Sequence, residues 1–257
     1  MKGLLALFCS VIMFTGAAYA SGAKKADHKD NQCVGAGPQS PRDISLTKGT
    51  NDVQFNSTPD YKDMNLCNVH FHRNAEHKAP EYSTYVADGD NSGWACKEPS
   101  AARLAKGSHV EYEHCEGVQP GDTIEVHWVY TSCDTDAKGI KPGAGLGACM
   151  TETCANPQLR VEAQVFLLEK DGTVKFNDKE PVTPKGDIVR YTGSTTGTSY
   201  SNDHCSPYQV NWNVRSSCET LDIDDFAKWC SHNEYNDHHA HGVRELVTAP
   251  ELLSTIK

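Results

Sequence analysis

The chain has 257 residues, with 24 Lys+Arg against 34 Asp+Glu, a formal net charge of −10 and 38% hydrophobic residues. The acidic excess argues against a nucleic-acid binder, which would carry a basic face. Outside the extreme N-terminus no apolar run reaches the ~20 residues of a membrane span.

In chain order, residues 1–20 read as an export signal. Lys2 supplies a positive start, Leu4 to Phe14 an apolar stretch too short to span a bilayer, and Ala18-Tyr19-Ala20 a cleavage site. Cleavage near Ala20 predicts a periplasmic or secreted protein. Residues 21–31 are small and charged and read as a mobile leader, followed by a single domain over 32–257. Alternating runs bounded by Gly, Pro, Asn and Asp predict strands at Cys67–His72, Val110–His114, Thr123–Thr131, Leu159–Glu169, Ile188–Tyr191 and Gln209–Arg215. Gln119 to Asp122 reads as a turn feeding a strand, and Lys170-Asp171-Gly172-Thr173 as a hairpin turn. The best helical pattern is Asp222–Cys230, with Ile223, Phe226 and Ala227 on one face and Asp222 or Asp224 able to cap it. Residues 134–156 are Gly-rich and read as a long irregular loop. The class is mainly β with a few short helices.

Composition is anomalous in its 11 Cys and 12 His. Loss of the signal removes Cys9 and leaves an even number of cysteines, which in an exported chain predicts disulfides formed in an oxidising compartment. No C-x-x-C pair is present, which argues against a zinc ribbon. Cys149 and Cys154 read as one locally stapled loop.

The histidines are more specific. In Asn68-Val69-His70-Phe71-His72 the strand period places Asn68, His70 and His72 on one face. In Glu125-Val126-His127-Trp128-Val129 it does the same for Glu125, His127 and Val129. On neighbouring strands, His127 would complete a three-histidine site. Three imidazoles on a tetrahedral metal leave one position open, the catalytic rather than the structural arrangement of zinc. Asn68 and Glu125 each precede a histidine by two residues and suit the outer acceptors that fix a ligand's tautomer. Asp237-His238-His239-Ala240-His241 reads either as a metal-capture tail or as a polar turn.

Several segments resemble the α-class carbonic anhydrases and, more closely, the δ class. They are Cys33-x-Gly35-x-Gly37-Pro38-Gln39-Ser40-Pro41 with Ile44, then His70-Phe71-His72, Glu76-His77 and Glu125-Val126-His127-Trp128. Tyr191-Thr192-Gly193-Ser194-Thr195-Thr196 and Cys205 with Val210-Asn211-Trp212 follow. The resemblance implies a central, mostly antiparallel twisted sheet and reversible hydration of CO2 to bicarbonate and a proton through a zinc-bound hydroxide. It implies that His70, His72 and His127 bind Zn2+, for which Co2+ or Cd2+ can substitute. Thr196 would orient the hydroxide and donate its own proton to Glu76. Val129 and Trp212 would wall the CO2 pocket, Cys33 and Cys205 would form a disulfide, and His77 would be a buried structural histidine. The α-class pattern departs after Ser194, so Thr195 stands as an alternative to Thr196, and no proton-shuttle histidine is identified. The extra cysteines and the 134–156 loop favour the δ class. Two other readings stand beside this one. One is a cupin-type metalloenzyme using His70, His72, Glu76 and His127, often with iron or manganese. The other is a non-catalytic exported metal-binding module.

Overall fold

The computed structural model describes residues 32–97, 115–134, 149–150, 154, 156–183, 185–195 and 200–257. The export signal, the 21–31 leader, the strand expected at Val110–His114, Thr196 and most of the 134–156 loop lie outside the described residues.

A five-stranded mixed sheet organises the described chain: β1 (Asn65–Arg73), β4 (Thr123–Thr131), β5 (Leu159–Glu169), β7 (Val210–Asp222) and β6 (Ile188–Thr192), in that spatial order. β5 and β7 run parallel, and the other neighbouring pairs are antiparallel. A separate two-stranded hairpin, β2 (Tyr82–Val86) with β3 (Gly93–Cys96), has no counterpart in the sequence expectations. Among the described residues one α-helix, α1 (Ile223–His232), follows β7 directly. The Asp222 side chain caps it by accepting from the Asp225 N–H at 3.1 Å. None of the helices among the described residues is long and apolar enough to cross a membrane.

Register decides which residues share a face. His70 lies opposite His127, His72 opposite Glu125, and Asn68 opposite Val129. Carried across the sheet, the same face takes Val161 and Ala163 of β5, Trp212 and Val214 of β7, and Val189 and Tyr191 of β6. These apolar side chains, with Tyr82 and Ile44, pack into one buried cluster. The opposite face buries Val69, Phe71, Val126, Trp128 and Phe166 against Phe226 and Trp229 of α1. The sheet is therefore covered on both sides, and the histidines sit on the face away from the helix.

Two turns were expected around these strands. Gln119 to Asp122 does lead straight into β4, with Gly121 at φ 90°, a conformation glycine adopts without a steric penalty. The 170–173 turn does not close a hairpin. The chain leaves it to make a parallel bridge from Val174 to Leu221, because β5 already has β4 and β7 on its two edges.

Five disulfides tie the described chain: Cys33–Cys205, Cys67–Cys149, Cys96–Cys218, Cys115–Cys230 and Cys133–Cys154. The expected local Cys149–Cys154 staple is not formed. Cys149 instead reaches Cys67 on β1, and Cys154 reaches Cys133 just beyond β4, so the loop is pinned to the sheet at two points rather than to itself. Alternation along β1 turns Cys67 away from the face that Asn68 and His70 share, but the register shift between Leu66 and Asn68 breaks that alternation. This bulge lets Cys67 join the apolar cluster on the histidine side.

Candidate metal centre

His70 and His127 are directly paired across β1 and β4, and His72 lies one side-chain step along β1. A ligand nitrogen from each of the three lies within 4.8 Å of the others. Their rings meet edge-on or tilted, at 5.0 Å for His70–His127 and 4.8 Å for His72–His127. Hydrogen bonds fix which ring edge faces inward. His70 Nδ1 is 2.5 Å from Asn68 Oδ1, and His72 Nδ1 is 3.0 Å from the Gly242 carbonyl. Both contacts leave Nε2 toward the shared centre. His127 is turned the other way: its Nε2 lies 3.1 Å from Glu125 Oε1, a charge contact without hydrogen-bond geometry, leaving Nδ1. The buried His72 Nε2 has no hydrogen-bond partner. A buried unpaired nitrogen costs about 1–3 kcal/mol, and a metal ligated there would remove that cost. Three imidazoles also suit zinc, copper, iron or nickel better than the oxygen-seeking Mg2+ or Ca2+. The donor set therefore fits a transition-type metal ion. Glu76, the fourth ligand of the cupin-type reading, is not a member of this cluster; its Oε2 lies 3.8 Å from His72 Nε2.

The outer ring of contacts is centred on Glu125, which is fully buried. Its Oε2 accepts from the backbone N–H of Glu76 at 2.7 Å and of His77 at 3.1 Å, and its Oε1 meets His77 Nδ1 at 2.6 Å. His77 continues to the Tyr191 hydroxyl at 2.6 Å. Burial by itself would raise the Glu125 pKa; the charges of His77 and His127 and the His77 hydrogen bond outweigh it and hold the carboxyl well below the usual range. Burial lowers His70 well below an ordinary imidazole, and the neighbouring imidazoles add to this. His72 is lowered chiefly by burial. Burial would also lower His127, but Glu125 raises it.

Trp212 lies 5.2 Å from His127, ring to ring, and donates from Nε1 to the Gly193 carbonyl at 2.8 Å. Val129, on the same face, is buried. Glu76 is buried, and its Oε1 accepts the Arg244 backbone N–H at 3.0 Å. Thr195 is half-buried beside Ser194, which bridges Gln39. A Cβ on Gly193 would lie 2.7 Å from the Gln39 carbonyl oxygen, so only glycine lets these two segments meet so closely. Cys33–Cys205 joins the same N-terminal segment to the chain beyond the threonines.

Sequence reasoning missed the contribution of the C-terminal segment. Gly242 orients His72, and the Arg244 backbone holds Glu76. The Arg244 guanidinium donates to the carbonyls of Ser40 and Ser201, both at 2.8 Å. His241 donates its backbone N–H to Phe71, and its ring lies 5.2 Å from that of His70; Asp237 Oδ2 holds its Nε2 at 2.6 Å. The 237–241 run is thus neither a metal cluster among the described residues nor a free turn. Only the Asp237-x3-His241 spacing hinted at this pairing, and no local signal placed it beside β1.

No curated protein and no solved structure matches the chain. A family model described as Delta carbonic anhydrase matches residues 61–225, well over half the chain and the whole span from β1 through β7. The chain belongs to the δ carbonic anhydrase family.

Proposed function

We propose that the protein catalyses the reversible hydration of CO2 to bicarbonate and a proton at a zinc ion held by His70, His72 and His127. The convergence of those three imidazoles, with the far nitrogens of His70 and His72 against Asn68 and Gly242 and Glu125 beside that of His127, carries this reading. Zinc when bound supplies a Lewis acid that lowers the pKa of a coordinated water to about 7. The protein's own residues do the rest. Asn68, Gly242 and Glu125 hold the three rings in the orientation a ligand needs. Val129 and Trp212 provide an apolar wall for CO2 beside the histidines. Glu76, anchored through Oε1 by the Arg244 N–H, keeps Oε2 available to accept a hydroxyl proton from Thr195 or Thr196. This fixes the direction in which the hydroxyl oxygen can itself accept a hydrogen bond.

Five disulfides in one domain over 32–257 support an oxidising destination, reached after removal of an export signal near Ala20. Stopped-flow CO2 hydration with a pH indicator tests the activity. The oxidised, zinc-loaded mature chain should hydrate CO2 rapidly, and His127→Ala should lose that activity while keeping its far-ultraviolet circular dichroism. An inactive wild-type protein that binds zinc would exclude the reading.

A further inference from the structure

On the face of the sheet opposite the histidines, three strands present two rows of polar side chains. One row is Arg160–Asn211–Thr192 and the other Glu162–Asn213–Arg190, each set side by side by strand register. The intervening residues of the same strands, such as Val161, Trp212 and Tyr191, are apolar and buried on the histidine side. A sheet face covered by chain is ordinarily apolar. Here segment 49–58 faces the polar rows across a cavity of about 650 Å3. That is within the range of small-molecule sites, roughly 300–1,000 Å3.

Arg160, Glu162 and Asn211 are bonded within the fold, but among the described residues the side chains of Asn213 and Arg190 are not. Asn213 is only 4% exposed, yet its side-chain amide has no hydrogen-bond partner among the described residues. Arg190 and Lys257 line the cavity, and the side chain of neither forms an ion pair or hydrogen bond among the described residues. Glu162 does not neutralise Arg190: it accepts from Arg160 Nε at 2.6 Å and from Arg215 Nη1 at 2.5 Å. Among the described residues Asp52 is the one acidic side chain on the wall, against Arg190 and Lys257; the third basic group there, Arg160, is already paired with Glu162. Arginine and lysine donate only, and a guanidinium fork matches the oxygens of phosphate or sulfate. Asparagine amides both donate and accept, as a ring of hydroxyls requires. The volume exceeds what a bare oxyanion fills.

We propose that this cavity is a binding site, separate from the metal centre, for a hydroxylated small molecule of sugar size bearing a phosphate or sulfate group. Arg190 would grip the oxyanion and Asn213 a hydroxyl. The proposal does not depend on the reaction at the histidines.

Isothermal titration of the oxidised mature chain with glucose 6-phosphate, glucose 6-sulfate, glucose and inorganic phosphate tests it. At least one ester should bind, and the tighter of the two identifies the anion. Glucose and inorganic phosphate should bind at least about tenfold more weakly than that ester. Arg190→Gln, at an exposed position that does not threaten folding, should weaken the ester about tenfold, the scale of one lost charge-assisted contact. Asn213→Leu should weaken it as well, with unchanged circular dichroism. No heat from either ester would overturn the proposal. So would glucose or inorganic phosphate binding as tightly as the ester, or an affinity indifferent to Arg190→Gln.

Discussion

Glu125 Oε1 lies 2.6 Å from His77 Nδ1, and neither side chain has any exposed surface. The same carboxylate takes two backbone N–H groups and faces His127, so one buried charge fixes the 76–77 turn and a candidate ligand together. Removing it strands two buried donors and the His77 imidazole. Glu125→Ala should cost about 3–5 kcal/mol, the scale for breaking a buried pair, in urea unfolding of the metal-free protein. Glu125→Gln keeps an acceptor, so it should cost less while still lowering metal affinity about 10–100-fold, as loss of an outer contact does. Equal stabilities of Glu125→Ala and wild type would contradict this role.

Arg244 closes the site from the C-terminal side. Arg244→Ala leaves the backbone N–H on Glu76 but removes the guanidinium from the Ser40 and Ser201 carbonyls. Bonds to a charged donor contribute about 1.5–3 kcal/mol each. Urea unfolding should therefore show a loss of that order. The kcat for hydration should fall as well, because the Arg244 N–H that anchors Glu76 moves with the loosened C-terminal segment. A variant with full stability and kcat would show that the guanidinium holds nothing in place.

Acidification should destabilise the metal-free protein. Burial depresses His70 and His72, which therefore bind fewer protons folded than unfolded near their ordinary value of about 6.5. Their contribution is present above that pH and lost as pH falls toward the folded values. The depressed Glu125 adds in the same direction at lower pH. His127 is raised and opposes them, contributing below about 6.5 and losing that contribution as pH rises. With two imidazoles against one, the melting temperature of metal-free protein should climb from pH 5 to 7. His70→Ala should flatten that climb in scanning calorimetry; an unchanged slope would contradict the assignment.

The Cys33–Cys205 bridge spans 172 residues and holds the N-terminal segment against the chain beyond the threonines. Replacing both cysteines by serine should cost about 2–5 kcal/mol, largely through freedom returned to the unfolded chain. Hydration should fall more than stability alone explains if the Gln39–Ser194 bridge loosens with it. Denaturation and stopped-flow assays on the same double variant separate the two effects.

Much of this architecture was legible in local pattern. Thr123–Thr131 and Leu159–Glu169 were bounded correctly because both alternate and end in turn residues. The period of two put His70 with His72 and Glu125 with His127 on common faces before any partner strand was known. The β2–β3 hairpin was not legible: Tyr82–Val86 is half-exposed and Gly93–Cys96 too short to show a period. The Cys67–Cys149 and Cys133–Cys154 pairs were not legible either, since proximity in sequence says nothing of where a loop returns to the sheet. Gly242 orients His72 and Arg244 anchors Glu76 through backbone groups that every residue possesses, so no side-chain motif announces these two contacts.

The most direct measurement is hydration activity during stepwise zinc addition to the metal-free mature chain. Activity should rise linearly and break at one zinc per chain, and His70→Ala, His72→Ala and His127→Ala should each abolish the rise. Tight binding of one zinc without hydration, or full activity in any of the three variants, would contradict CO2 hydration at this three-histidine centre.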